Sequence, residues 1–345
     1  MIVSRAASNP VQRPRPEPSA HHEQGEKHSA IRDCFGPVVD DLYLLTRFVG
    51  VGQTYKMVGA RLAERNQANP PLADLKPVQL DQPIVLIPGW TTLREALQPL
   101  GDKLTEGGRN GGEIVFVQNG HFYLDRDCHR PFQGDVGDGG HKVFEVVFSD
   151  IRNPPPLGAT ELSRNFEAIK QVTGVDKLDV SAYSMGGLAT RVYLDRGGDS
   201  IGKLMLLGTP NQGTTFANLA GEILRRDIGW AISMAGLQAA DLPALEWLSV
   251  DDGKGSNPHL QDLNAHWDRQ IANVDQVLAV GGRGILTPSR GLFPVTLGDG
   301  LVEAGGMAPP SGPVKILDGE HHHSHLNNDP EVYQTMMDYF GWQPD

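Results

Sequence analysis

Apolar residues in this chain fall into short unbroken runs rather than long periodic stretches. Pro83-Ile84-Val85-Leu86-Ile87 has no polar interruption, the mark of a strand buried on both faces. Further strands are read at Glu113 to Gln118, Val143 to Phe148, Lys177 to Ala182, Lys203 to Gly208, Gln276 to Gly281 and Val314 to Leu317, each short and mainly apolar. Most are followed by helix-like or looped connections, and this alternation predicts an α/β domain built on a mainly parallel sheet. Leu162, Phe166, Ile169 and Val172 share one helical face, with Thr160 expected as its N-cap and Gly174 as its stop. From Thr214 to Val250 the chain is too apolar for a plain loop and predicts a helical cap, inserted where the carboxyl edge of the sheet would hold a site. Gly120 to Lys142, rich in Gly, Asp and His, reads as an excursion from the sheet, a hairpin at the mouth of that site.

The first 30 residues are rich in Pro, Arg, His, Glu and Ser and predict a disordered leader, because such a composition buries too little apolar surface to offset chain entropy. Residues 31–79 predict a helical extension. Within it Val39, Leu42, Leu45, Phe48, Val49, Tyr55, Val58 and Leu62 recur at helical spacing, interrupted by Gly50, Gly52 and Gly59. Two short helices are expected, their apolar stripe packed on a main domain over residues 80–345.

With 345 residues, 41 Gly and 25 Pro, the chain suits one large domain of short elements plus an appendage. A net charge of -12 without a basic cluster excludes a phosphate-backbone partner, so no nucleic acid is expected. Cys34 and Cys128 are too few for a disulfide framework and fit a reducing compartment. No secretory signal is legible before His28, and no apolar run is long enough to span a membrane. These features favour cytoplasm over secretion.

The stretch with the clearest chemistry is Val180-Ser181-Ala182-Tyr183-Ser184-Met185-Gly186-Gly187, an apolar run ending in a small-residue turn around one serine. A nucleophilic serine on a sharp strand-to-helix turn needs small neighbours two before and two after, and Ala182 and Gly186 meet that need. Such a serine requires a base, an acid to orient it, and backbone donors for the oxyanion. Asp299, in Gly298-Asp299-Gly300, follows a late strand and is the expected acid, with Glu303 in reserve. The loop Gly319 to Leu326 offers four histidines, His321, His322, His323 and His325, among which spacing alone does not select; three are expected to solvate a loop or bind metal only adventitiously. The expected oxyanion donors are the N–H groups of Met185 and Trp90. No cofactor or metal is implied.

Together, Ile87-Pro88-Gly89-Trp90, Ala182 to Leu188 with Arg191 and Tyr193, and Leu207-Gly208-Thr209-Pro210-Asn211-Gln212-Gly213-Thr214 resemble the bacterial lipase branch of the α/β-hydrolases. Asp299-Gly300-Leu301-Val302 and His323 through Val332 extend the resemblance, which covers about Pro83 to Phe340. It implies an α/β-hydrolase fold, His323 as the base, and a serine ester hydrolase of lipase or carboxylesterase type acting on a small-molecule or lipid ester. Transient contact with a lipid interface is compatible with the apolar block. An acyltransferase or thioesterase would share the same residues, and a non-catalytic binding relative would keep only the pocket. The chain departs from the family at Pro88, Tyr183 and Asn211, where histidines are common. Tyr183, Gly89 and Asn211 are expected to line the substrate pocket.

Overall fold

The computed structural model describes residues 48–50, 52–90, 96–134, 136–137, 139–250, 257–290 and 294–344. The expected leader, the start of the extension and Cys34 lie outside the described residues. All described residues fall in one unit, Leu45–Asp345.

Eight strands form the central sheet: β2 (Ile84–Ile87), β3 (Val115–Gln118), β4 (His121–Tyr123), β5 (Val143–Val146), β6 (Leu178–Tyr183), β7 (Ile201–Leu207), β8 (Gln276–Arg283) and β11 (Val314–Asp318). Their order is β11-β8-β7-β6-β2-β5-β3-β4, and every neighbouring pair is parallel except β3 with β4. Every residue of β2, β5 and β6 is buried, as central strands of a parallel sheet covered on both faces require, and of the three only β2 is apolar throughout. Two short antiparallel pairs lie outside this sheet: β1 (Val78–Gln79) with β12 (Gln343–Pro344), and β9 (Ile285–Pro288) with β10 (Val295–Gly298).

Each expected strand is present, with ends displaced by no more than two residues. Helix α3 (Pro155–Thr173) ends at Gly174 in the left-handed region (φ 70°), as expected. It starts earlier than the sequence suggested. Pro155 and Pro156 occupy its first turn, where the missing N–H groups cost nothing, and Thr160 lies inside the helix with its hydroxyl on Pro156 O. The block after β7 is helical, with α5 (Thr215–Arg225), α6 (Gly229–Ala235) and α7 (Leu242–Leu248). Thr214 caps α5, its side chain accepting from Phe216 N at 3.1 Å.

Two expectations change. Residues 52–68 form one continuous helix, α1, that runs through Gly59 and buries Leu62. The excursion is a hairpin, but it packs on the sheet edge as β4, and none of its described residues lines the central cavity described below. Its Arg126 reaches back in a two-pronged pair with the buried Glu145 of β5, at 2.5 and 2.7 Å. Among the described residues, no helix is long and apolar enough to cross a membrane.

Behind the sheet edge, α4 (Met185–Asp195) carries Arg191, which is fully buried. Its guanidinium donates to Gln270 Oε1 (3.0 Å), Asn211 Oδ1 (3.1 Å), Asn264 Oδ1 (2.8 Å) and Leu263 O (3.4 Å), and lies over the Trp267 ring. These contacts tie α4 to the turn after β7 and to α8 (Pro258–Ala265) and α9 (Trp267–Ile271). Arg191→Met would leave buried acceptors unpaired and is expected to cost about 3 kcal/mol. Urea denaturation measures this, and a loss below about 1 kcal/mol would contradict the tie.

Candidate active site

Because β2, β6, β7 and β8 run parallel, their carboxyl ends share one edge, and there the chain collects its reactive groups. Ser184 leaves β6 with φ 53° and ψ -127°, a conformation that L residues rarely adopt and that costs about 1–3 kcal/mol. Its N–H bonds Leu207 O at 2.8 Å, and its carbonyl accepts from Gly187 N at 3.0 Å. The glycines that follow are required by contact. A Cβ on Gly186 would fall 2.4 Å from Pro88 O, and one on Gly187 would fall 2.0 Å from Thr209 Oγ1. The start of α4 is thereby pressed against the Pro88-Gly89-Trp90 turn.

Ser184 Oγ lies 2.9 Å from His323 Nε2, and His323 Nδ1 lies 2.6 Å from Asp299 Oδ2. The fully buried carboxylate of Asp299 is also held by the N–H groups of Leu301 (3.0 Å) and Val302 (2.8 Å) on Oδ1. An ionised Asp299 can only accept, so Nδ1 of His323 carries its proton and Nε2 is free to accept from Ser184. The geometry thus brings together hydroxyl, imidazole and carboxylate in a single line. Glu303 is engaged elsewhere, accepting from the Thr215 hydroxyl (2.5 Å) and N–H (3.3 Å) at the start of α5, and burial raises its pKa.

The other histidines do not merely solvate the loop; each has a distinct anchorage. His321 pairs with Asp329, the N-cap of α10 (Pro330–Phe340), at 2.7 Å, and that hydrogen bond raises its pKa. His322 directs Nε2 to Tyr55 O at 3.0 Å and accepts from Ser324 at Nδ1, while burial pushes it down to about 4. His325 directs Nε2 to Gly59 O at 3.1 Å and is also lowered by burial. Both donors therefore seat α1. Gly59 has a purpose in that seat, since a Cβ there would fall 2.9 Å from His322 Cε1. None of these four belongs to a metal-ligand grouping among the described residues; the one such grouping is Asp125, Asp127 and His129 on the hairpin. Asp125 there already accepts from the backbone of His129 and Arg130.

The line of groups opens onto a cavity of about 1280 Å³. Ser184, His323 and Trp90 line it, with Tyr55 and Gly59 of α1 and Phe216 and Leu237 of the block after β7. Of the expected pocket residues, Tyr183 reaches the cavity, but its main contacts are to His323: its hydroxyl donates to His323 O at 2.9 Å and the rings lie 5.1 Å apart. Gly89 and Asn211 do not line the cavity. Gly89 is buried in the turn after β2, and Asn211 is fully buried between Arg191 and Met307 O. Sequence reading missed Tyr55, Gly59, His322 and His325 as a unit.

No protein-family model matches the chain. Among solved structures, the mature form of the lipase BlEst2 from Bacillus licheniformis is 14% identical, with 77% of this chain and 94% of that chain covered at a TM-score of 0.51. The propeptide form of the same lipase is 15% identical, with 77% and 53% covered at a TM-score of 0.50. The product of gene lin2722 from Listeria innocua is 20% identical, with 75% and 93% covered at a TM-score of 0.48. The fold is the α/β-hydrolase fold, a mainly parallel central sheet with helices on both faces.

Acid is expected to loosen α1. A released imidazole titrates near its ordinary value of about 6.5, whereas docked His322 sits at about 4, so between those values the released state holds more protons. Their contribution is full above about pH 6.5 and declines as pH falls towards 4. The surroundings of the two rings offer both signs of charge: His323, Asp299 and the Tyr55 phenol beside His322, and Arg65 beside His325. His321 acts oppositely, its contribution being full in acid and lost as pH rises through its raised value. Amide hydrogen exchange over 52–68, corrected for intrinsic rates, should be faster at about pH 5 than at about pH 7.5, and His322→Gln should shrink the difference. Equal protection at both values would rule out the imidazole seat.

Proposed function

We propose that this chain is a serine ester hydrolase, of lipase or carboxylesterase type, that forms an acyl-enzyme on Ser184. The observation that carries the reading is the Ser184–His323–Asp299 line, at 2.9 and 2.6 Å, on a strained turn open to a large cavity. Ser184 Oγ attacks the ester carbonyl carbon while its proton passes to His323 Nε2, and Asp299 stabilises the imidazolium without taking the proton. The carbonyl oxygen becomes an oxyanion, received by the N–H groups of Met185 and Trp90. Met185 is the first residue of α4, so its N–H has no acceptor within the helix and the helix dipole favours negative charge there. Collapse expels the alcohol, which leaves with the proton from His323. Water then repeats the sequence, releasing the acid and restoring Ser184.

Trp90, Phe216, Leu237 and Leu248 along the cavity favour an acyl group with hydrophobic length. In this reading residues 214–250 act as a cap on the catalytic domain and α1 as the part of the extension that faces it. The lipase BlEst2, whose structure shares the fold, adds support.

Ser184→Ala is expected to lower hydrolysis of p-nitrophenyl esters by about 10³-fold or more and to abolish labelling by a fluorophosphonate. His323→Ala should do the same to hydrolysis. A chain-length series from acetate to laurate is expected to favour the longer acyl groups. Wild-type protein that turned over no ester and resisted the fluorophosphonate would overturn the proposal, and a preference for acetate alone would remove the hydrophobic acyl pocket from it.

A further inference from the structure

Tyr55 lies on α1, far in sequence from the strands and loops that carry Ser184, Asp299 and His323, yet its ring stands against two of those loops. On one side it stacks on His322, with centroids 4.2 Å apart at 25°, and His322 adjoins His323 in the chain. On the other it meets Gly300, where a Cβ would fall 2.8 Å from Tyr55 Cδ2. Gly300 is in the left-handed region (φ 96°) and links Asp299 to Leu301 and Val302, whose N–H groups hold the Asp299 carboxylate. Burial raises the pKa of the phenol and the Asp299 charge adds to it, while Ser324 is the hydrogen-bonding neighbour of its oxygen. The backbone of the same residue completes the contact by accepting from His322 Nε2.

We infer that Tyr55 is a positioning residue for the ester hydrolysis proposed above, on which this inference rests: its ring wedges the acid loop and the histidine loop at fixed separation and keeps water from the Asp299–His323 hydrogen bond. His323 then has three supports. Tyr183 holds its carbonyl and packs against its ring, Asp299 holds Nδ1, and the Tyr55–His322 stack braces the adjoining residue. A charge-assisted bond of 2.6 Å is strong where water is excluded and weakens where water competes. With the wedge removed, both loops gain freedom and Nε2 loses its aim at Ser184. Misplacement of a catalytic group by about 1 Å costs about 100-fold in rate.

The test compares Tyr55→Leu and Tyr55→Phe in the full chain, reading kcat and KM on a p-nitrophenyl ester, the rate of Ser184 labelling by a fluorophosphonate, and the thermal midpoint. Tyr55→Leu is expected to lower kcat and the labelling rate by about 10- to 100-fold, with KM within about threefold of wild type. Tyr55→Phe keeps the ring and should stay within about threefold of wild type in every reading. Gly59→Ala supplies a second perturbation that favours helix while pushing on His322. It should lower kcat in the same direction, and it decides the matter if Tyr55→Leu fails to fold. Folded Tyr55→Leu with wild-type kcat and labelling would overturn the inference, as would Tyr55→Phe as slow as Tyr55→Leu. Ester turnover by wild type alongside either result would leave the proposed function standing; absence of turnover in wild type would overturn both.

Discussion

A serine held at φ 53° is the constraint on which this architecture turns. The conformation is unfavourable alone and survives because its surroundings leave no alternative. Leu207 O fixes the Ser184 N–H, and the helix that begins one residue later is pressed so close to Pro88 and Thr209 that only glycine fits at 186 and 187. That closeness brings the ends of β2, β6 and β7 within reach of one another. Arg191, one helical turn further on, locks α4 from behind with neutral oxygens and an aromatic face. Rigidity behind the turn is what allows strain at its apex.

The histidine loop shows how four copies of one side chain acquire four characters from their partners. A carboxylate beside His321 favours its charged form, whereas burial lowers the pKa of His322 and His325 in spite of their bonds to helix carbonyls. His323 alone has a hydroxyl on one nitrogen and a buried carboxylate on the other. The rings of His322 and His325 make the loop an adhesive surface for α1, so the group that faces Ser184 and the groups that seat the cavity wall share one short loop, at 322, 323 and 325.

The sheet was legible because burial on both faces writes itself as a run of apolar residues, unbroken in β2. The expectation for Ser184 and Asp299 rested on turn chemistry and chain order, and that for His323 on the family resemblance. Asn211 was misread because a polar residue in a turn near the site looks the same in sequence whether it faces ligand or, as here, a buried arginine. The hairpin of β4 was recognised, but its side of the sheet depends on strand order, which local pattern does not encode. The β9–β10 ribbon that presents Asp299 was overlooked, although Ile285 to Pro288 and Val295 to Gly298 are short strand-like segments. Gly59 was the most instructive error. Helix propensity reads it as a break, whereas the helix continues and the absent side chain makes room for an imidazole from a distant loop.

The bonds from His322 to Tyr55 and from His325 to Gly59 join residues 267 and 266 positions apart. During synthesis α1 therefore emerges long before the loop that receives it, and its inner face must wait for nearly the whole sheet to be made. Contacts of such sequence separation form late and slowly, because closing so long a loop precedes any gain from it. The cavity is thus finished last: a nascent or partly refolded chain can hold the sheet and the serine turn while the wall around them is still open.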